Sequence, residues 1–453
     1  MKRLCFAVAC MLGSVALGQT GGPPSYSAVR WDEDYSYLRE AEARTDLWDP
    51  IKYIPLNNTG DMYLSLGGQV RYRYEFWDDA NFGAGQQDGS GFHLLRVLAH
   101  ADLHLGDNFR VFLQGKTALE HDRDGGPRAT DEDRLAIQQA FADVKMRWDD
   151  GSLLLRLGRQ DLIYGAQRII SPLDWANVRR TFQGGRASLT LPGQTFDVFL
   201  VQPVIVDREH WNENDDDTTF AGLYYTRQMP DIFGADARSK LEAYLLGLFR
   251  RPGDTDEDRY TIGGRFSTNP KPWDLDIELM YQFGEIDDDS ISAWAVAIEG
   301  GHMAANCPLK PRVFLGFDIA SGGDPDERFN QLFPLGHAYF GYIDAIGRQN
   351  IIDVHPGMVL TLSRDVNVRV EQHFFWRQDT GDAVYNAAGG VLRAGASDER
   401  YVGSELDILL NWKIDRHLSA YAGFSYFFAG GFIEDTGDDE DVAFVYGAVT
   451  YSF

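Results

Sequence analysis

The last residues of the chain alternate with a period of two. Counting back from the C-terminus, Phe453, Tyr451, Val449, Gly447, Val445 and Ala443 are all apolar or small. Successive side chains on a strand point to opposite faces, so this segment offers one face to an apolar medium and the other to water or packed polar groups. The closing strand of a transmembrane barrel has this form, and so does a soluble sandwich that ends on a hydrophobic strand.

The N-terminus favours the barrel. Lys2 and Arg3 precede an apolar run from Leu4 to Leu17, with small residues at Ala16 and Gly18 before Gln19. That order of charge, apolar core and small residues is a secretory signal peptide, expected to be cleaved near Gly18. Cys10 lacks the leucine and the apolar length that a lipoprotein site needs. Removing residues 1–18 takes Cys5 and Cys10 away, so Cys307 is left without an internal disulfide partner or a cysteine-based metal site.

No segment after residue 18 has the uninterrupted apolar run of a spanning helix. Barrels escape that criterion because only half of each strand faces lipid. With 44% hydrophobic and 13% aromatic residues the chain is nevertheless an ordered protein. It has the length of two or three soluble domains but no low-complexity linker, as one large closed sheet would.

Strand patterns recur along the chain. From Trp273 to Phe283, Trp273, Leu275, Ile277, Leu279, Tyr281 and Phe283 share one face, opposite Asp274, Asp276, Glu278 and Gln282. Tyr63 to Trp77 carries Arg71, Arg73 and Glu75 on its polar face, and Val366 to Arg377 carries Arg369, Glu371, His373 and Arg377. Further strands are predicted near 92–105, 109–120, 134–148, 152–160, 184–191, 194–202, 218–228, 239–250, 258–268, 290–302, 311–321, 350–362, 400–414, 417–429 and 441–453. The fold class is therefore all-β: a single antiparallel transmembrane barrel of about eighteen strands over residues 61–453, preceded by a plug-like periplasmic lead segment at 19–60.

Connection lengths agree. Short turns such as 106–108, 149–151, 192–193, 363–365 and 415–416 alternate with long segments such as 78–91, 121–133, 161–183, 322–349, 378–399 and 430–440. The connections 229–238 and 303–310 are longer than a tight periplasmic turn. The bacterial outer membrane is the expected location.

Without Lys2 and Arg3, 40 basic residues face 68 acidic ones, a net charge of −28, and the nine predicted external loops together hold −26 of it. Solvated surface loops explain this rim of acid, and so would binding of divalent cations or repulsion of like-charged material. A calcium loop beginning at Asp254 fails, because Arg259 stands where glycine is required and Arg265 where glutamate is. No metal centre, cofactor or nucleic-acid partner is expected.

The third external loop is the exception. Arg156, Arg159, Arg168, Arg179, Arg180 and Arg186 fall in or beside it, opposed only by Asp161 and Asp174. Folded inward, such a loop would bring rigid, permanently charged guanidinium forks into the pore, where they suit carboxylate or phosphate. Alternatively, the arginines brace the loop against carboxylates of the wall. Lumen-facing positions of the first strands are also mainly basic, with Arg71, Arg73, Arg96, Arg110, Lys116 and Lys145 against Glu75, Asp102, Glu120 and Asp143. The later wall shows Asp274, Asp276, Glu278, Glu299, Glu405 and Asp407, so the pore is expected to be electrically two-sided. Tyr63 and Trp77 could stack on sugar rings or belong to an interfacial girdle.

Six ordered segments resemble the alginate export family of outer-membrane proteins: WDEDYSYLR (31–39), WDPIKYIPL (48–56), GGPRATDEDRLAIQQAFADV (125–144), GRQDLIYGAQRI (158–169), NVRRTFQGGR (177–186) and FNQLFPLGHAYFGYID (329–344). The resemblance implies an eighteen-stranded barrel that lets an anionic polysaccharide such as alginate leave the cell through an electropositive constriction of arginines, lysines and inward loops. Its partners would be the polymer, outer-membrane lipid and periplasmic synthesis or export proteins. Arg159, Arg179 and Arg180 are the positions carried over from the GRQ and NVRR segments. The acidic second half departs from a uniformly basic lumen.

A general or small-solute porin would share every barrel feature. A barrel enzyme would need a nucleophile–histidine–acid constellation, but none of His93, His100, His104, His355 and His373 has a serine at suggestive spacing. His337 is expected to pack a loop. An adhesive barrel would conduct nothing.

Overall fold

The computed structural model describes residues 25–230, 237–253 and 255–453. Eighteen antiparallel strands close on themselves: β1 Met62–Asp78, β2 Phe92–Leu105, β3 Phe109–His121, β4 Asp133–Trp148, β5 Gly151–Gln160, β6 Phe182–Leu191, β7 Gln194–Ile205, β8 Thr218–Met229, β9 Ser239–Arg250, β10 Glu257–Thr268, β11 Trp273–Ile286, β12 Asp289–Met303, β13 Arg312–Ala320, β14 Ile351–Thr361, β15 Val366–Trp376, β16 Tyr401–Lys413, β17 Leu418–Ala429 and β18 Val442–Ser452. Each pairs with its sequence neighbour, and β18 returns to β1 from Gln69↔Ser452 to Asp78↔Ala443. Closure leaves no sheet edge, which is what allows a polar backbone to sit in hydrocarbon.

The predicted strands recur within a few residues of their expected ends, because a period of two fixes the face of every side chain. Val445 and Val449 of β18 are exposed on the outside, as are Leu279, Tyr281 and Phe283 of β11 and Val313 and Leu315 of β13. The signal-peptide segment 1–18, including Cys5 and Cys10, lies outside the described residues, as does most of the connection 229–238.

Periodicity did not show that the interior holds an apolar core. Leu162, Tyr164, Ile169 and Ile170 of the third loop (161–183) pack with Phe329, Phe340, Ile343 and Ile346 of the seventh (322–349). Around them stand wall residues Phe182, Phe199, Phe220, Tyr244 and Leu246. The two loops are also joined by backbone: Ser171 N–H donates to the Phe333 carbonyl at 2.8 Å, Phe333 N–H to Ile169 at 3.0 Å, and Leu335 N–H to Gln167 at 2.9 Å. Each fully buried Leu, Ile or Phe contributes roughly 1.5–3 kcal/mol, so this cluster is enough to hold both loops inside.

A second, smaller core forms at the short-turn end, where Tyr35, Leu38 and Tyr53 of the lead segment pack on Tyr63 of β1. Tyr63 therefore faces inward beneath the lead segment, stacked on His104 at 4.3 Å and lying 4.8 Å from Tyr53. Glycine permits the close approach: a Cβ on Gly67 would stand 2.3 Å from Lys52 Nζ and 2.8 Å from the Phe453 carbonyl oxygen. Arg30 completes the attachment by donating to the Gly68 carbonyl at 2.7 Å and the Phe453 carbonyl at 2.9 Å. Phe453 is thus pinned by the lead segment.

Candidate functional site

The lumenal arginines gather around the third loop. Positions 71 and 73 of β1 share the inward face, and Arg71 is paired in register with Arg96 of β2. Like charges directly opposite one another repel, so such a pair needs acceptors. The loop supplies them through backbone carbonyls. Arg71 donates to Asp174 at 2.8 Å, Trp175 at 3.1 Å and Ala176 at 2.9 Å. Arg96 donates to the carbonyls of Asp174 at 2.9 Å and Ala176 at 3.0 Å, and to the Asp174 carboxylate at 2.9 Å. Arg73 reaches the Trp175 carbonyl at 2.6 Å, lies 4.2 Å over its indole ring and pairs with Glu75.

Trp175 is the centre of this arrangement. Its ring stacks on His337 of the seventh loop at 3.5 Å and meets Tyr446 of β18 edge-on at 5.2 Å. His337 also bonds Asp344 at 3.1 Å, the loop-packing role expected of it.

The remaining predicted cations are mostly ion-paired. Arg110 binds Asp102, Lys116 binds Asp133 at 2.9 Å and Arg156 grips Asp143 through two contacts of 2.8 Å. Arg168 crosses to Asp276 and Glu278 at 2.9 Å each, and Arg186 binds Asp197 at 3.0 Å. Arg179 is held by Asp161 at 2.8 Å and Asp174 at 3.4 Å. Arg159 and Arg180 donate to carbonyls: Ile137 at 3.3 Å and Asn212 at 3.2 Å for the first, Ser171 at 3.1 Å and Pro334 at 3.4 Å for the second, which also lies 5.4 Å over the Phe333 ring. Of the twelve cations singled out from the sequence, Arg71, Lys145, Arg159 and Arg180 have no ion pair among the described residues. The other eight brace the loop and the wall, the second of the two roles read from the sequence.

Third loop and lead segment meet inside the barrel. Arg179 donates to the Ala28 carbonyl at 3.1 Å, Arg110 to the Trp31 carbonyl at 2.6 Å, and Arg156 lies 4.0 Å over the Trp31 ring. Nothing in the sequence marked Trp31 as a partner of these strands, because the contact depends on how the lead segment turns.

The later wall is less acidic than expected. Arg265 pairs with Glu242 and Asp276, Arg312 with Asp274 and Glu299, Arg369 with Glu371, and Arg348 with Asp318. Arginines of neighbouring strands thus offset carboxylates that a single strand's pattern shows alone. Several acids assigned to the outer rim also lie inside: Asp131, Asp133, Asp161 and Asp382 are buried and paired with Arg123, Lys116, Arg179 and Arg328. Glu405, Asp407 and Asp353 remain, close to His355 and His373.

Known proteins can now be compared. The alginate export family matches residues 62–445. The chain belongs to that family. Among solved structures it resembles Pseudomonas aeruginosa OpdO, with 11% identity, a TM-score of 0.58, and 89% of this chain and 98% of that one covered. Pseudomonas aeruginosa OpdQ gives 12% identity and a TM-score of 0.57, covering 86% and 97%, and OpdK with vanillate gives 12% and 0.57, covering 86% and 98%. No curated protein matches. Family and fold together make this an outer-membrane channel of porin-like architecture.

Proposed function

We propose that the barrel passes an anionic polysaccharide of the alginate class outward, and that Arg71, Arg159 and Arg180 are its principal fixed charges. Family membership supports the substrate class. The three guanidiniums without an ion pair carry the mechanistic reading. A fixed cation in a narrow, low-dielectric lumen lowers the energy of a passing carboxylate, and carbonyl partners leave that charge uncancelled where a carboxylate would remove it. The ion-paired arginines hold the third loop in place, and Arg71 adds its own grip on the carbonyls of Asp174, Trp175 and Ala176, so in Arg71 positioning and attraction coincide. The signal peptide would deliver the chain to export, and periplasmic synthesis proteins would hand over the polymer.

A second reading rests on the apolar core shared by the third and seventh loops. Two loops fixed inside the barrel narrow the lumen, an arrangement suited to a small anionic solute. Planar-bilayer recordings of the purified protein separate the two. For polymer export, polyuronate blocks the current and a neutral glucan of equal length does not. For a small-solute channel, monomeric uronate conducts and neither polymer blocks. Cation selectivity without polyuronate block would overturn the export reading.

A further inference from the structure

Outside the arginine cluster, three neighbouring strands bring an unusual set of groups together. Asp353 and His355 come from β14, Glu371 and His373 from β15, and Glu405 and Asp407 from β16. All six are buried. In register, Glu371 faces Asp407 and His373 faces Glu405. Four carboxylates thus share one stretch of wall, and Arg369, bonded to Glu371 at 2.6 and 2.8 Å, is the guanidinium paired with them. Buried negative charge in such excess requires a compensating cation or protons.

His373 shows where a cation fits. Its Nδ1 lies 3.0 Å from Asp353 Oδ2, and His355 Nδ1 lies 2.7 Å from the same oxygen. A histidine that donates from Nδ1 to a carboxylate has its Nε2 lone pair directed away, which is the usual support for a metal-ligating imidazole. That Nε2 points between Glu371 Oε2 at 3.9 Å and Asp407 Oδ2 at 4.0 Å. Both distances are too long for a hydrogen bond. Asp407 Oδ2 is buried and, among the described residues, receives no N–H or hydroxyl donor, with the Glu405 carboxyl beside it. The three atoms are mutually close enough to hold one metal ion. Bonds of about 2.0–2.2 Å at tetrahedral angles set ligand atoms about 3.4 Å apart, so closure on an ion asks for a shift of about half an ångström.

We propose that His373, Glu371 and Asp407 form a binding site for a divalent transition ion of the zinc class, with Asp353 as the residue that orients His373. One imidazole with carboxylates favours zinc-like ions over calcium, which takes six to eight oxygens. The site also has a structural consequence. Ile343 N–H of the seventh loop donates to Glu405 at 2.8 Å, and Tyr342 N–H to Asp407 at 3.4 Å. An ion here fixes the stretch of wall to which the inward loop is tied.

The test uses the full chain, purified in detergent and stripped with chelator, then titrated with zinc chloride by calorimetry. Saturation at one ion per chain is expected, with Asp407→Asn and His373→Gln each weakening affinity at least about tenfold and Asp353→Asn by about 10–100-fold. Circular dichroism confirms that each variant keeps its strands. Cobalt(II) titration of the unaltered chain needs no variant, and intense visible bands of a tetrahedral nitrogen–oxygen set are expected. Failure of zinc to bind would mean that protons balance the charge and would overturn the site. Zinc binding unchanged in all three variants would place the ion on the external acidic loops and overturn it equally.

Discussion

The Arg96 guanidinium and the Asp174 carboxylate lie 2.9 Å apart although 78 residues separate them. This bridge ties the second strand to the turn that carries Trp175, and Asp174 also faces Arg179 at 3.4 Å. Burial works to raise the Asp174 carboxyl, but Arg96, Arg179 and Arg71 hold it well below the usual carboxylate range. A depressed carboxyl stabilises the fold above its unfolded value near pH 4, and that contribution is lost as pH falls toward the folded value.

Asp174→Asn therefore leaves Arg96 buried without a counter-charge. The expected loss is about 3 kcal/mol in denaturant unfolding near neutral pH. The deficit relative to the unaltered chain should shrink as pH falls below about 4, because the carboxyl of the unfolded chain takes up a proton there while the native one stays charged. Open-channel current noise should rise as the third loop loosens. Equal stability at pH 7 would show that the carbonyl contacts alone hold the turn.

Adjacent arginines should behave differently. Arg179→Ala strands the fully buried Asp161 carboxylate and is expected to lower stability by roughly 3–5 kcal/mol. Arg180→Ala removes bonds to two carbonyls and a guanidinium contact over the Phe333 ring at 5.4 Å, a loss of about 1–2 kcal/mol. Its effect should instead appear in function, as a reversal potential in a salt gradient shifted toward lower anion preference and weaker polyuronate block. An Arg180→Ala channel with unaltered selectivity would remove Arg180 from the proposed path.

The sequence made the wall legible because a strand's period of two is local: Val445 and Val449 could be sorted to the outside without knowledge of any partner. Arginine pairing was not local. No local pattern gives Arg265 a role, yet its charge neutralises Glu242 and Asp276 on strands either side of it. An excess of arginine set the third loop apart and left its inward folding as one option, whereas nothing in the sequence pointed to the core it shares with Phe329, Phe340 and Ile346. A loop's apolar residues carry no periodicity that names their neighbours. His355 and His373 stand eighteen positions apart in sequence and converge only because β14 and β15 are antiparallel neighbours in this register.

Trp31 connects the lead segment to the lumen through Arg156 and Arg110. Trp31→Ala removes the ring beneath Arg156, a contact worth about 1–2 kcal/mol when desolvated, and also an edge-on contact with Phe141 at 6.4 Å. The variant should keep its barrel, lose protease resistance between residues 25 and 55, and conduct more current than the parent if the lead segment narrows the lumen. Protection of that segment identical to the parent's would show that Arg30 and the Tyr35–Tyr63 cluster suffice to dock it.

Lys52 gives that docking a pH dependence. Its side chain is fully buried, Nζ has no hydrogen-bond partner, and it lies 4.9 Å from the centre of the Tyr35 ring and 5.3 Å from that of Tyr26. Burial, reinforced by Arg30, lowers the ammonium to about 7. Between that value and the ordinary one near 10.5 the undocked state binds more protons than the docked state, so docking strengthens as pH rises through this window. Below pH 7 both states carry the proton and the penalty for burying it is greatest, on the order of a few kcal/mol before the aromatic rings offset part of it. Proteolysis of residues 25–55 should accordingly be faster at pH 6 than at pH 9 when each rate is corrected for protease activity. Lys52→Met fills the same space without a charge and should make docking tighter at pH 6 and nearly independent of pH. A variant that keeps the parent's pH profile would assign the dependence to another group.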